Sequence, residues 1–185
     1  MPPEPERLIR SQPIFQGKVV NLRVDTTELS KGRRTVETNR EVVEHAQTIV
    51  VVPLDGQGNV VLVEQYRHAT GESLLEAPAG GMEEGETPEE AVTRELREET
   101  GYAPGTLERL GGFWIAPGWC DEYMHAYIAR DLQPSKLPQD ADEDVWVTPV
   151  PFHEVVELIQ QGRIRDAKSI AALLMARIAS QAGVT

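Results

Sequence analysis

The most constraining feature of this chain is a glycine turn followed by an acidic helix between Gly80 and Tyr102, GGMEEGETPEEAVTRELREETGY. Thr87 is a typical N-cap, Pro88 suits the first helical position, and the glutamate three residues after Thr87 completes a capping box. The glycine after Thr100 favours a left-handed C-terminal cap. The spacing therefore predicts a helix from Pro88 to Thr100.

The acids of this helix lie at two ends with opposite effects on stability. Glutamates 89 and 90 offset the exposed N–H groups of the first turn, whereas Glu98 and Glu99 face the negative end of the helix dipole. Glu95, Glu98 and Glu99 share one face, about 100° wide. A divalent cation would reverse their repulsion, because Mg²⁺ prefers carboxylate oxygens. The alternative is a solvated acidic face in which Arg94 pairs with Glu98 at i, i+4.

The spacing also matches a longer pattern, G-x5-E-x7-R-E-U-x-E-E-x-G-U, in which U is a bulky apolar residue. The matching residues are Gly80, Glu86, Arg94, Glu95, Leu96, Glu98, Glu99, Gly101 and Tyr102. This resembles the signature of the Nudix hydrolases at every specified position, with Tyr102 in place of the usual aliphatic residue. The resemblance covers about residues 47–179 and implies an α/β fold, the Nudix α/β/α sandwich with a mixed sheet.

Composition limits the partners. A net charge of −12 and a pI near 4.8 argue against non-specific binding to nucleic acid or to an anionic membrane surface. Cys120 is the only cysteine, which excludes an intrachain disulfide and favours a reducing cytoplasm. No apolar run approaches the ~18 residues of a membrane helix. We therefore expect a cytoplasmic protein that binds neither nucleic acid nor a membrane.

Hydrophobic patterning predicts a strand-rich chain that ends in two helices. The predicted strands are 18–24, 41–44, 48–54, 60–66, 107–115, 123–129 and 145–150, and the predicted helices are 152–161 and 167–179. The segment 30–40 is polar and predicts turns, while 48–54 is continuously apolar and predicts a strand buried on both faces. The last two helices carry apolar stripes that we interpret as core or interface, namely Val155, Val156 and Ile159, and Ile170, Leu173, Leu174 and Ile178.

Residues 1–46 precede the region of resemblance and are predicted to form a small β-rich extension to a Nudix domain at 47–185. Within the family, ADP-ribose pyrophosphatases have such an extension, and it commonly builds a homodimer in which both subunits shape each substrate pocket. The resemblance therefore implies a homodimer here.

The resemblance also implies a site. Glu95 and Glu99 are the expected metal ligands, Glu98 joins for an additional ion, and the carbonyl of Ala79 is a further ligand. Arg94 is expected to orient the glutamates. Mg²⁺ is the expected cofactor, with Mn²⁺ as a substitute. These assignments make Glu98 and Arg94 part of the catalytic set.

A base that activates water is expected on a loop before the last strand. In the ADP-ribose group it is often a glutamate, and the corresponding loop here is QDADED at 139–144. We assign Glu143 to this role, with Asp142, Asp144 or a glutamate of the acidic helix as open alternatives. A solvated acidic loop with no catalytic part is the simpler interpretation.

Three residues are predicted to contact substrate. Pro117 lies fifteen residues after Tyr102, as in family members that act on ADP-ribose, although an ordinary loop proline is the alternative. Arg67 follows a strand as in relatives where it contacts the phosphates or the distal ribose, and its alternative is an ion pair with Glu64 or Glu76. Glu83, within the signature, completes the set. Aromatic stacking partners for a base could be Trp114, Trp119 and Tyr123, although strand aromatics are more often core.

The resulting hypothesis is an Mg²⁺-dependent enzyme that cleaves ADP-ribose to AMP and ribose 5-phosphate. Another nucleoside diphosphate sugar such as GDP-mannose, or a dinucleotide, is the alternative substrate. A non-catalytic Nudix module that senses ADP-ribose-like ligands and regulates a partner is the alternative class. Clustered acids at a helix C-terminus disfavour that class, because a sensor does not need them.

Overall fold

In the computed structural model, residues 4–32, 34–139 and 144–182 are described. The chain divides into two units, one made of Met1–Ala46 with Trp114–Tyr123 and the other of Gln47–Phe113 with Met124–Thr185. The acidic helix belongs to the second unit. A functional division into residues 1–46 and 47–185 stays a prediction.

The first unit contains an antiparallel sheet in the order β1-β2-β3, formed by β1 (Arg7–Gln16), β2 (Val20–Lys31) and β3 (Arg34–His45). The sequence predicted only 18–24 and 41–44 as strands, and its prediction of turns over 30–40 is wrong. Strands β2 and β3 instead form one long hairpin with a turn at Gly32, where φ is 65°. Most residues of β3 are exposed, whereas Asp25, Thr26 and Thr27 in the middle of β2 are buried.

Nine more strands lie in the described part of the chain. They are β4 (Thr48–Pro53), β5 (Asn59–Arg67), β6 (Glu72–Glu76), β7 (Ala79–Gly81), β8 (Tyr102–Ala103), β9 (Thr106–Trp114), β10 (Tyr123–Arg130), β11 (Gln133–Pro134) and β12 (Val145–Pro151). The five strands predicted after residue 47 are confirmed to within one residue at each end. The short strands β6, β7, β8 and β11 were not predicted, since their few residues show no hydrophobic period.

The strands of the second unit form three sheets. The first, in the order β7-β4-β10-β9, is mixed because β10 runs parallel to β4 while β7 runs antiparallel to it. The second is antiparallel with the order β12-β5-β6, and β8 pairs with β11. This mixed α/β arrangement confirms the predicted fold class.

Strand β4 is the centre of the core, and all six of its residues are buried. Ile49 and Val51 pack with Ala91, Val92 and Leu96 of helix α1 (Pro88–Glu99). Successive residues of a strand point to opposite faces, so the intervening valines face away from α1. Helix α3 (Ala167–Ala182) also contacts β4. The apolar stripe of α1 is thereby fixed on the sheet, and this orients the acidic stripe.

The C-terminal helices depart from the prediction in two ways. The predicted helix at 152–161 is a 3₁₀ turn, Phe152–Glu154, followed by a short α2 (Val155–Gln160). On α3 Leu173 is buried in the core, whereas Leu174 and Ile178 are exposed, so for these two residues only the predicted interface role stays open. Small side chains, Ser169, Ala172 and Ala176, are the buried ones instead, because they allow the helix to approach the sheet closely. No helix among the described residues combines the length and apolarity that a membrane crossing requires.

Replacement of Thr87 by alanine should lower the free energy of unfolding by about 1 kcal/mol, because the N-cap hydroxyl accepts a hydrogen bond from the backbone N–H of Glu90. Thr93→Ala is the matched control on the same helix. The Thr93 hydroxyl only donates to the carbonyl of Glu89, and alanine is the better helix former. Urea denaturation measures both variants. Equal effects would contradict the capping account.

Candidate active site

The glycine turn brings β7 against the acidic face of α1. A Cβ on Gly80 would lie 2.0 Å from Oε1 of Glu95, so no other residue fits there without displacing the carboxylate. The predicted capping box at Thr87 and the left-handed glycine after the helix, with φ of 79° at Gly101, are both confirmed. Local sequence therefore fixes both ends of the helix and the distance from its acidic face to the turn.

Arg94 is the hub of the site. Its Nε and Nη2 donate to the two carboxylate oxygens of Glu86, both at 2.9 Å, and Nη2 also donates to the Gly81 carbonyl at 2.8 Å. Its Nη1 donates to Glu95 at 2.7 Å and to Glu98 at 3.2 Å. The pKa of Arg94 is raised, mainly by its hydrogen bonds with Glu86. The same bonds lower the pKa of Glu86. One guanidinium thus donates hydrogen bonds to three carboxylates.

Glu99 lies beside this hub but is held differently. Its side chain is buried, and its Oε2 accepts a hydrogen bond from the backbone N–H of Ala79 at 3.2 Å. Glu95 is buried as well, whereas Glu98 is half-buried. Two buried carboxylates in the last two turns of a helix oppose its dipole and need compensation from elsewhere.

The donor set suits a hard divalent cation, because every candidate ligand offers oxygen and the carboxylates that share Arg94 outnumber its single charge. Within the described residues no three acidic, histidine or cysteine side chains are already gathered around one point that could hold an ion. Arg94 and the Ala79 N–H hold the carboxylate oxygens instead. Glu95, Glu98, Glu99 and the carbonyl of Ala79 are the residues that could hold a metal here.

The predicted substrate residues are less closely grouped. Arg67 donates two hydrogen bonds to Glu76, from Nε at 3.0 Å and from Nη2 at 2.7 Å, which is the ion pair considered as its alternative role. Glu83 is exposed at the edge of the hub, with Oε1 4.0 Å from Nε of Arg94. Pro117 lies in the other unit, where it lines a cavity of about 350 Å³ together with Arg40.

The loop that carries the predicted base is only partly described. Glu143 and the alternative Asp142 lie outside the described residues. Asp144 is exposed and, with Tyr66 and Trp146, lines a cavity of about 690 Å³ on the outer face of the β12-β5-β6 sheet.

Two of the three candidate stacking aromatics contact each other. The rings of Trp114 and Tyr123 are 5.0 Å apart and meet edge to face. Trp114 and Trp119 both remain more than half exposed.

Sequence reasoning missed a polar cluster that adjoins Ala79. Lys168 donates to the Glu76 carboxylate, and the backbone N–H of Ala77 donates to Oγ of Ser169 at 2.7 Å. These partners are separated by 92 positions in the chain, so no local spacing could have revealed them. The one usable signal is Asp166, an N-cap residue type directly before α3.

Comparisons with known proteins identify the family of this chain. Residues 44–173 match the NUDIX domain family. The chain is 37% identical over 170 residues to a methanol dehydrogenase activator of Bacillus methanolicus, covering 91% of this chain and 90% of the relative. It is 34% identical over 170 residues to an ADP-ribose pyrophosphatase of Bacillus subtilis (strain 168), with the same coverage.

A solved structure, described as an ADP compounds hydrolase, shares the fold with a TM-score of 0.89 at 21% identity, covering 100% of this chain and 98% of that one. The predicted family is thus confirmed by sequence and the predicted fold by structure. This chain belongs to the Nudix family and is a Nudix pyrophosphohydrolase.

Proposed function

We propose that this enzyme hydrolyses the pyrophosphate bond of ADP-ribose, with Mg²⁺, to give AMP and ribose 5-phosphate. The observation that carries the proposal is the pair of buried carboxylates, Glu95 and Glu99, packed against the β7 turn beside Arg94. Such a cluster costs stability at a helix C-terminus unless a cation compensates it. The ADP-ribose pyrophosphatase relative, which matches along most of both chains, supports the choice of substrate.

Nudix hydrolases generally use a divalent metal. In this chain Glu95, Glu98, Glu99 and the Ala79 carbonyl would hold it. When bound by these groups, Mg²⁺ would neutralise charge on the diphosphate oxygens and lower the pKa of a water molecule bound to it. Mn²⁺, with the same preference for oxygen ligands, could take its place.

The chain's own residues hold the metal ligands in place and accept a proton. Arg94 keeps Glu95 and Glu98 in place, and the Ala79 N–H does so for Glu99. Glu143 accepts a proton from the water while the water oxygen attacks one phosphorus of the diphosphate. The bond from that phosphorus to the bridging oxygen breaks, and the second phosphate leaves with the bridging oxygen.

Three further residues are proposed to contact substrate. Arg67 would bind phosphate or the distal ribose while Glu76 holds its guanidinium. Glu83 and Pro117 are the other two proposed contacts. We also propose a homodimer in the cytoplasm. The first unit exposes apolar side chains along β1, among them Leu8, Ile14 and Phe15, and a partner subunit would cover them.

Regulation of a partner protein is the second candidate function, and the relative described as a methanol dehydrogenase activator is the observation that favours it.

Substrate turnover separates the hydrolytic function from the regulatory one. With Mg²⁺, ADP-ribose should be cleaved to AMP and ribose 5-phosphate faster than GDP-mannose, dinucleotides or free nucleoside triphosphates, as product chromatography would show. No turnover of any of these would favour the regulatory function, and preferred cleavage of GDP-mannose would replace the proposed substrate.

Glu99→Gln should lower kcat by ~10²–10³, because it removes a charge from the metal-binding carboxylates while keeping the shape of the side chain. Glu84→Gln, on an exposed side chain of the glycine turn, is the matched control and should leave kcat unchanged. In the same assay Glu143→Gln should lower kcat with little change in KM if it is the base. Full activity of Glu99→Gln at saturating Mg²⁺ would overturn the ligand assignment. An unaffected Glu143→Gln would move the base to Asp142, Asp144 or a glutamate of the acidic helix.

Ile14→Asp should dissociate the proposed dimer. Ile14 is an exposed apolar side chain of β1, and aspartate in its place would put a charge in the interface. Ile178→Asp is the matched control, on an exposed isoleucine of α3 in the second unit. Light scattering after gel filtration gives the mass of each variant and of the wild type. A monomeric wild type would contradict the dimer, and dissociation by Ile178→Asp alone would move its interface to α3.

A further inference from the structure

Four successive residues, Glu76–Ala79, carry the chain from β6 into β7, and we call them the strap. Each of the four is held by a different neighbour. The Glu76 carboxylate binds Arg67 of β5, the Ala77 N–H donates to Ser169 of α3, the Pro78 carbonyl accepts from the N–H of Val51 of β4, and the Ala79 N–H donates to Glu99 of α1. The strap thus ends on a carboxylate of the proposed metal site.

The first residue of the strap is a buried charge. Glu76 is only 2% exposed, and it is bound both by the Arg67 guanidinium and by Nζ of Lys168. Burial alone would raise the pKa of Glu76, but the hydrogen bonds and charges of Arg67 and Lys168 outweigh it and the pKa is lowered. A buried carboxylate of this kind becomes costly when one of its partners is removed.

The second residue is anchored by the first turn of α3. Ser169 is fully buried, and its Oγ accepts the Ala77 N–H at 2.7 Å. Asp166 organises the same turn, since its Oδ2 accepts from the Ser169 backbone N–H at 3.0 Å and from Lys168 Nζ at 2.9 Å. Helix α3 therefore presents two side chains, those of Lys168 and Ser169, to consecutive residues of the strap.

The strap leaves little room for independent movement. Ala77 precedes Ala79 by two residues, a span of about 7 Å in extended chain. Without Ser169 Oγ the buried Ala77 N–H loses its acceptor, which destabilises this backbone conformation unless the chain shifts to find another acceptor. Because only Pro78 separates Ala77 from Ala79, we expect such a shift to displace Ala79, whose N–H binds Glu99 and whose carbonyl is a proposed ligand.

We propose that Lys168 and Ser169 are positioning residues for the active site, which fix Ala79 against Glu99 through the strap although neither touches the substrate. This inference rests on the proposed metal-binding role of Glu99 and Ala79. Residues that orient metal ligands from behind typically contribute 10–100-fold to metal affinity or activity.

The test compares Ser169→Ala and Lys168→Gln with Arg165→Gln. Arg165 lies just before the same turn and pairs with Glu72 of the same strand β6, but both side chains are about half exposed and Glu72 lies at the end of β6 away from the strap. Lys168→Arg keeps a positive charge beside the Glu76 carboxylate. Three quantities are measured on the full chain: Mn²⁺ affinity by calorimetry, amide hydrogen exchange of residues 77–81 without metal, and kcat and KM for ADP-ribose.

Ser169→Ala and Lys168→Gln should each weaken Mn²⁺ binding by about 10-fold or more, speed the exchange of the Ala79 amide and lower kcat more than they raise KM. Arg165→Gln and Lys168→Arg should resemble the wild type. If Ser169→Ala does not fold, the Lys168 pair decides alone, because Lys168→Arg separates loss of charge from loss of packing.

The experiment distinguishes failure of the positioning role from failure of the proposed function. If the wild type binds Mn²⁺ and hydrolyses ADP-ribose, but folded Ser169→Ala or Lys168→Gln binds Mn²⁺ within about twofold of it, the positioning role is wrong and the proposed function stands. If the wild type neither binds the metal nor turns over substrate, the proposed function itself fails.

Discussion

The site depends on the guanidinium of Arg94. It joins the glycine turn to the helix through Glu86 and the Gly81 carbonyl, and it holds Glu95 and Glu98 side by side. Hydrogen bonds to charged groups contribute about 1.5–3 kcal/mol each, so this residue offsets a large part of the repulsion among its carboxylates. Its removal would take away the guanidinium that joins Glu86 to Glu95 and Glu98.

Stability and function are separated on the two faces of α1. Its apolar stripe, with Ala91, Val92 and Leu96, packs on β4 and supplies the burial that holds the helix in place. Its acidic stripe includes buried Glu95 and Glu99 near the helix C-terminus, where they oppose the dipole. A helix selected only for stability would not carry buried acids there, which is why we attribute them to chemistry.

The features predictable from the sequence are those set by local chemistry. The capping box at Thr87, the buried strand β4 and the position of the acidic helix directly after the glycine turn all follow from the local sequence. Long-range choices were not visible. The face of α3 that meets the sheet is set by how closely small residues such as Ala172 let it approach, and the contact of Ser169 with Ala77 joins distant segments. Strand β1 carries both Pro13 and exposed apolar residues, and it forms as an edge strand by pairing with β2.

The central claim is that the acidic face of α1, gathered against the glycine turn, holds the divalent cation. Anomalous diffraction from crystals grown with Mn²⁺ tests it most directly, because manganese can be located independently of the protein atoms. The account predicts an anomalous peak within coordination distance of Glu95, Glu99 and the Ala79 carbonyl. Peaks confined to other acidic groups, with the Glu95 and Glu99 carboxylates still bound only by protein groups, would contradict it.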